Sequence, residues 1–535
     1  VEWVNINFYN KRIIKMDPKN IVDKDASFFG QPGGLQTLFF TEMWERMSYY
    51  GMRALLVLFM TASMQEGGLA ITVASATAIY GLYTGAVYFM GLPGGWIADR
   101  LLGGQRATWY GGIIIMLGHI VLAIPSEASF FIGMILVVLG TGLLKPNITA
   151  MVGQLYSSND DRRDGGYTLY YMGINIGSII GYFVTGYLQE NAGYHWGFGA
   201  AAVGMAFGLI QYKLTQPKLK GVGEKPAKPM SAGAAKRSWA VIYLLLAGLA
   251  TVTYLALNNI IVIDPVVLAG NVAVIFTIIF FVYYLSIFLF GKLTRNEMKR
   301  LGALFLVCIA STMFWAGFEQ AGSSFNLFAR DLTDRMIGDF EIPTTWFQSL
   351  NSIFLVTLSP FFAALWINLS KRMINPSYGF KSAIGLMIMA TGFIVMFFAS
   401  QAAASGLKVA PYWLVAVYFI HTVGELCLSP VALSAVSKLS PKRMAGQLMG
   451  VFVLTYAMGN LIAGLLAGGL DPENPQAMPE LYWTIFLFGV SVGAVVFVLA
   501  FFTRKWEKLP PDDGEADNDD HPGAVIDANE PVNKP

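Results

Sequence analysis

Seven ionisable residues lie inside long apolar runs, where each is hard to accommodate. The stretch TLFFTEMWERMSYYGMRALLVLF (37–59) holds Glu42, Glu45, Arg46 and Arg53. At about 100° per residue on a helix, these four share one side with Tyr49 and Tyr50, within an arc of about 140°. Met43, Trp44, Met47 and Ser48 point elsewhere. A charged stripe must face protein or water. Pairing of Glu42 with Arg46 at i,i+4 accounts for part of it, whereas Arg53 and the tyrosines need further partners. Lys145 lies in GTGLLKPNIT, Glu319 in FWAGFEQAG and Glu425 in HTVGELCLSP. A charge at the centre of a membrane span is unfavourable by about 2.5–3.5 kcal/mol on insertion scales, so such residues are functional candidates. Four carboxylates face three cations. A low-dielectric surrounding favours neutrality, and one bound proton supplies it. The chemistry this suggests is reversible proton uptake, in which protonation of one Glu frees the Arg or Lys it had held.

The elements that position these groups follow from composition. Of 535 residues, 55% are hydrophobic, 14% aromatic and only 13% charged, against roughly 25% charged in soluble domains. Mean hydropathy is +0.54. A bilayer-spanning helix needs about 20 mostly apolar residues. Such runs fall near 35–61, 73–98, 107–124, 129–155, 166–189, 195–214, 238–257, 270–291, 300–327, 344–368, 379–400, 410–437, 444–470 and 481–503, which predicts fourteen helices and an all-α membrane protein. The runs are too long and continuous for a barrel of about 10-residue alternating strands. Lys and Arg precede the first span (Lys11, Arg12, Lys15, Lys19, Lys24) and recur after every second one, from Arg100 and Arg106 to Arg504, Lys505 and Lys508. The alternation predicts cytoplasmic termini and an even number of spans. Gly is abundant, with 56 residues, and Pro93, Pro146, Pro360 and Pro430 lie in or at the ends of spans. Small residues permit close helix approach in lipid.

The organisation expected is a cytoplasmic segment over 1–32 and a six-helix bundle over 33–215. A linker and two additional helices follow over 216–299, then a second six-helix bundle over 300–503 and an acidic tail over 504–535. The tail, rich in Asp, Pro and Asn, reads as disordered. Residues 1–15 resemble neither a signal peptide nor a span, and Met16 reads as a more natural start.

Several function classes are disfavoured. A net charge of +2 offers no nucleic-acid footprint. Cys308 and Cys427, both in apolar runs, read as buried small hydrophobes rather than a disulfide framework or metal site. The scattered His119, His195, His421 and His521 provide no nucleophile–base or metal cluster for a membrane-embedded enzyme. No G-x-x-x-x-G-K-[ST] loop for ATP is present. A passive channel fits poorly, because opposed charges would trap ions. His421, one turn before Glu425, reads as a packing or hydrogen-bonding histidine.

Three segments carry a resemblance. GGWIADRLLGGQR, where Asp99 can cap a helix or pair with Arg100 or Arg106, looks like the loop between helices two and three of the major facilitator superfamily. EMWERMSYYG resembles the E-x-x-E-R-F-x-Y-Y-G motif of the proton-dependent oligopeptide transporter family within it. YTLYYMGINIGSI (167–179) is similar to that family's second signature. With the contexts of Lys145, Glu319 and Glu425, the resemblance covers the chain from about Gln31 to Arg504. It implies two six-helix bundles joined by two extra helices. Met47 stands where the motif has Phe, off the charged face. Phe452 stands where members often carry Trp, which implies a roomier side-chain pocket.

The resemblance implies a symporter that imports di- and tripeptides with protons across the inner membrane by alternating access. It needs no cofactor, metal, nucleic acid or obligate protein partner; its partners are small peptides, protons and the bilayer. Arg46, Arg53 and Lys145 would face the peptide carboxylate, with arginine able to hold it bidentately. Glu425, Asn175 and Asn351 would hold the ammonium. Tyr50, Tyr88, Tyr171, Trp315, Phe318 and Ser429 would line the pocket, since aromatic walls accept varied side chains. Proton coupling would involve Glu42, Glu45, Arg46, Lys145, Glu319 and Glu425, with Arg53 and Glu319 as a switching pair. Asp99 and Arg100 would belong to a gating loop. The rivals are a same-family carrier of nitrate or a peptide-like drug, and a multidrug antiporter. An anion carrier would not need Glu425 and the two Asn at an amine end.

Overall fold

The computed structural model describes residues 26–157, 160–372, 375–469, 474 and 477–509. The basic residues Lys11 to Lys24, the start at Met16 and the tail after Leu509 lie outside the described residues. The first six long helices are α1 (Gly33–Thr61), α2 (Val73–Ile97), α3 (Gly104–Leu122), α4 (Glu127–Gln154), α5 (Arg163–Ala192) and α6 (Tyr194–Thr215). Then come α7 (Ala232–Leu257) and α8 (Pro265–Phe290). The second set comprises α9 (Arg295–Phe318), the short α10 (Ser324–Asp331), α11 (Trp346–Lys371), α12 (Tyr378–Ala403), α13 (Tyr412–Leu439), α14 (Ala445–Ala467) and α15 (Ala477–Thr503). Fourteen of the described helices are long, and ten stretches are long and apolar enough to cross a membrane.

Local chemistry sets the helix starts. At α9, the Thr294 hydroxyl accepts from Glu297 N at 3.2 Å, and Glu297 Oε2 accepts from Thr294 N at 2.9 Å, a reciprocal cap. Asp264 caps α8 by accepting from Val266 N and Val267 N, with Pro265 at the first helical position. Pro93, Pro146, Pro360 and Pro430 all lie inside helices.

The expected ninth span, 300–327, is interrupted. α9 ends at Phe318, a tight turn covers Glu319–Gly322, and α10 restarts at Ser324. The Tyr80 ring of α2 packs onto Gly322 and leaves no room for a side chain there. Glu319 therefore sits at a helix break rather than mid-helix. A small antiparallel hairpin, β1 (Met336–Ile337) with β2 (Phe340–Glu341), adds strand structure that the all-α reading lacked.

Each six-helix set has its own apolar interior. In the first, Phe59, Phe130 and Phe198 pack together, and Leu144, Met205 and Leu209 form a second cluster. In the other, Phe314, Phe325, Phe393 and Tyr482 share one core. The halves meet along α2–α14 and α5–α11. A methyl group on Gly81 would come 3.0 Å from the Asn460 carbonyl oxygen and 3.2 Å from Gly464 Cα, so α2 and α14 touch through backbone. Of the two additional helices, α8 packs against α2 and α14, while α7 has no buried residue.

The Asp99 loop departs from expectation. Ala98–Leu102 forms one wide helical turn, and α3 starts from Gly103 with no side-chain cap. Asp99 has no ion pair among the described residues. The linker serves this loop instead: Lys228 N donates to Asp99 O, Met230 N to Arg100 O, and Gln105 N to Gly223 O. Backbone hydrogen bonds with the linker thus do what the carboxylate was expected to do. Cys308 and Cys427 are both buried as free thiols.

Candidate functional site

A cavity of about 160 Å³ opens where the two helix sets face each other. α1 contributes Tyr50 and Arg53, α2 Tyr88, α4 Lys145, and α5 Tyr171, Asn175, Ser178 and Tyr182. From the second set come Trp315, Phe318 and Glu319 at the end of α9, Gln348, Asn351 and Ser352 on α11, and Tyr418, His421 and Glu425 on α13. Ten of the twelve expected substrate residues are brought together here.

Six of the seven charges divide into three groups, and Lys145 stands apart. Arg46 is 1% exposed and is held by its own helix: Nε lies 3.1 Å from Glu42 Oε1 and also contacts Glu45 Oε2. Its guanidinium carbon is 5.0 Å from the Tyr49 ring centre. Arg46 therefore does not line the cavity, contrary to expectation, because two carboxylates on α1 claim it first. The second group is Arg53 with Glu319. Arg53 Nη2 lies 3.1 Å from Glu319 Oε2, and Nη1 donates to Oε1 at 3.5 Å. This pair crosses from one half to the other. Tyr50, Tyr80 and Tyr49 surround the Arg53 guanidinium at 5.4–6.0 Å. Lys145 lines the cavity and has no ion-pair partner among the described residues.

The third group is Glu425. Asn351 Nδ2 donates to its Oε2 at 2.9 Å and to Thr422 Oγ1 at 3.1 Å. One carboxylate oxygen is thus oriented by an amide while the residue still lines the cavity. Asn175 donates to Tyr171 O at 3.0 Å within its own helix, leaving its amide oxygen free of that bond. Ser429, one turn beyond Glu425, does not line the cavity. It adjoins Pro430, which removes one helical hydrogen bond from α13. Phe452 is fully buried in the second core and does not line the cavity either. The extra room that a smaller residue implied there does not open onto it.

Sequence reasoning missed Ser178, Tyr182, Gln348, Ser352 and Tyr418 as lining residues. Helical spacing was the available signal: 348, 351, 352 and 355 share a face of α11, and 171, 175, 178 and 182 share a face of α5. Gln348 is 3% exposed, and neither its amide oxygen nor its nitrogen has a hydrogen-bond partner among the described residues. His421, read as a packing residue, does pack, with its ring 5.1–6.2 Å from those of Phe393, Phe325 and Phe318. It also lines the cavity.

Cross-half bonds gather from the cavity toward one end of the bundle. Ser178 and Ser352 hydroxyls lie 2.5 Å apart. Asn326 Nδ2 donates to Ala54 O at 2.8 Å, and Trp346 Nε1 to Phe183 O at 3.1 Å. Arg335 Nη1 donates to Glu190 Oε1 at 2.9 Å. At the opposite end, Thr149, Ala150 and Pro430 are exposed. The cavity is sealed on the side of Thr61 and Ala192.

Two helical bundles meeting around a cavity, with two further helices, make this an integral membrane protein with the fold of the major facilitator superfamily. Within it, the chain belongs to the POT family: the family model (PTR2, POT family) matches residues 105–483. It is 41% identical over 491 residues to the peptide transporter YePEPT of Yersinia enterocolitica, covering 90% of this chain and 96% of that one. It is 36% identical over 494 residues to a di-/tripeptide transporter of Lactococcus lactis subsp. cremoris, covering 90% and 97%. A crystal structure of a peptide transporter POT in complex with sulfate superposes with a TM-score of 0.84 at 38% identity, covering 92% of this chain and 99% of that one.

Proposed function

We propose that the chain is a proton-coupled symporter that imports di- and tripeptides across the bacterial inner membrane by alternating access, with both termini cytoplasmic. The observation that carries this reading is the polarity of the cavity. Lys145 lines it with no ion-pair partner among the described residues and Arg53, paired with Glu319, adds a second cation, while the Asn351-oriented Glu425 offers a carboxylate. A peptide is a zwitterion, so cations suit its carboxylate and a carboxylate with amide acceptors suits its ammonium. The names of the relatives point the same way.

For coupling, Glu42 and Glu45 both contact Arg46. Two carboxylates on one guanidinium leave one negative charge in excess, and a proton neutralises it. Arg53 with Glu319 forms the switching pair between the halves, and Asp99 with Arg100 belongs to a loop that the linker braces. Positive residues after every second span support the orientation. The sealed end would then face outward and the lining would be reached from the cytoplasm.

The test is uptake of labelled dialanine by liposomes containing the protein. An inward proton gradient should drive accumulation that a protonophore abolishes. Accumulation indifferent to both would remove proton coupling from the proposal. Glu42→Gln should abolish gradient-driven uptake and spare counterflow exchange; loss of both would assign Glu42 to binding or folding. Competition by nitrate instead of dipeptides would favour an anion carrier.

A further inference from the structure

The Phe452 position shows how this chain shapes the wall of its cavity. Tyr456 lies one turn further along α14 and meets Phe452 edge-on, with ring centres 5.3 Å apart at 84°. On its other sides it touches both halves. Its ring stacks on Tyr88 of α2 at 5.4 Å and 16°. It also meets Trp315 of α9 at 4.8 Å. Tyr88 and Trp315 both line the cavity, whereas Tyr456 does not. Trp315 is buried and its indole N–H has no hydrogen-bond partner among the described residues, so ring contacts rather than a polar tether hold it. Tyr456, itself half-buried, therefore braces two lining rings, one from each helix set, and Phe452 packs fully buried against it.

We propose that Tyr456 is a positioning residue that sets the size limit of the substrate side-chain pocket, by propping Tyr88 and Trp315 into the cavity. This rests on the peptide reading above. The occupant is a large apolar or aromatic substrate side chain. With a cavity of only about 160 Å³, the placement of two rings decides whether such a side chain fits. If the ring of Tyr456 is removed, Tyr88 and Trp315 can retreat into the vacated space. A wider ring pushes them further in. The ring does the work and the hydroxyl does not.

The measurement is inhibition of labelled dialanine uptake by unlabelled Ala-Ala, Ala-Trp and Trp-Ala, expressed as the ratio of the bulky peptide's affinity to that of Ala-Ala. A single methylene in a filled pocket is worth roughly tenfold or more. Tyr456→Ala should therefore raise the ratio for at least one Trp-containing peptide by about tenfold. Tyr456→Phe should match the wild type, and Tyr456→Trp should lower the ratio. A merely structural role would reduce uptake of all peptides together and leave the ratios unchanged, which would overturn the proposal. A ratio that follows the hydroxyl, with Phe behaving like Ala, would overturn it as well. If Tyr456→Ala does not fold, Tyr456→Leu takes its place in the series. Failure of the wild type to transport dialanine would refute the peptide reading itself, whereas unchanged ratios in a transporting protein refute only the role of Tyr456.

Discussion

Replacing Glu319 by Gln tests whether the Arg53–Glu319 pair holds the two halves together. The closest approach is 3.1 Å, and the side chains are 6% and 3% exposed. At an effective dielectric of about 20, two unit charges at that separation attract by about 5 kcal/mol before desolvation is counted. Removing one partner of a buried pair leaves the other uncompensated and destabilises by about 3–5 kcal/mol. Arg53 is on α1 and Glu319 opens the turn after α9, so the penalty falls on the conformer in which they meet. The equilibrium should move toward the separated state by a factor on the order of 100 to several thousand, at about 1.4 kcal/mol per tenfold. Spin labels at the exposed positions Asn191 and Asp339 straddle the sealed end. Their distance distribution should be dominated by one short population in the wild type and gain a long population in Glu319→Gln. Combining Arg53→Gln with Glu319→Gln removes both charges, and the short population should largely return. Identical distributions in wild type and single variant would refute the role of the pair. A double variant no nearer the wild type than the single one would refute the reasoning from an unpaired buried charge.

Two further substitutions probe the cavity wall and the helix junction. Gln348 is buried with both polar atoms unpaired, so Gln348→Met, of similar shape, should leave the thermal midpoint of the empty protein unchanged or raised; inhibition by dialanine should weaken about five- to tenfold, the worth of one hydrogen bond. Unchanged affinity with a lowered midpoint would mark Gln348 as structural. Gly81→Leu should overpack the α2–α14 contact, where even a methyl group approaches the Asn460 carbonyl to 3.0 Å; the expected cost is about 1–3 kcal/mol, read as a lower unfolding midpoint in detergent with normal membrane insertion.

Much of the fold was legible because lipid imposes a strict rule. Every backbone polar group must be satisfied within its own segment, so a long apolar run becomes a helix whatever surrounds it. The predicted spans match the observed long helices to within a few residues at most ends. The exception, Glu319 at a break in 300–327, depended on Tyr80 pressing against Gly322 from 242 positions earlier in the chain, a contact that no local pattern announces.

The chemistry of the site was legible in kind. An ionisable residue in an apolar run is costly alone, so Glu42, Glu45, Arg46, Arg53, Lys145, Glu319 and Glu425 marked themselves. Which of them pair was not. On α1, helical geometry places Glu42 beside Arg46, and that contact followed from spacing. The Arg53–Glu319 and Asn351–Glu425 contacts span 266 and 74 residues, and only the packing of the halves creates them. The same packing withdrew Ser429 from the lining, added Gln348 and Tyr418, and set Tyr456 rather than Phe452 against the lining rings. The sequence by itself therefore determined the membrane, the helices and the stock of charges, because these depend on local transfer free energies. The tertiary structure decided which charge meets which, and which rings face the substrate, because those depend on the close approach of segments that the chain keeps far apart.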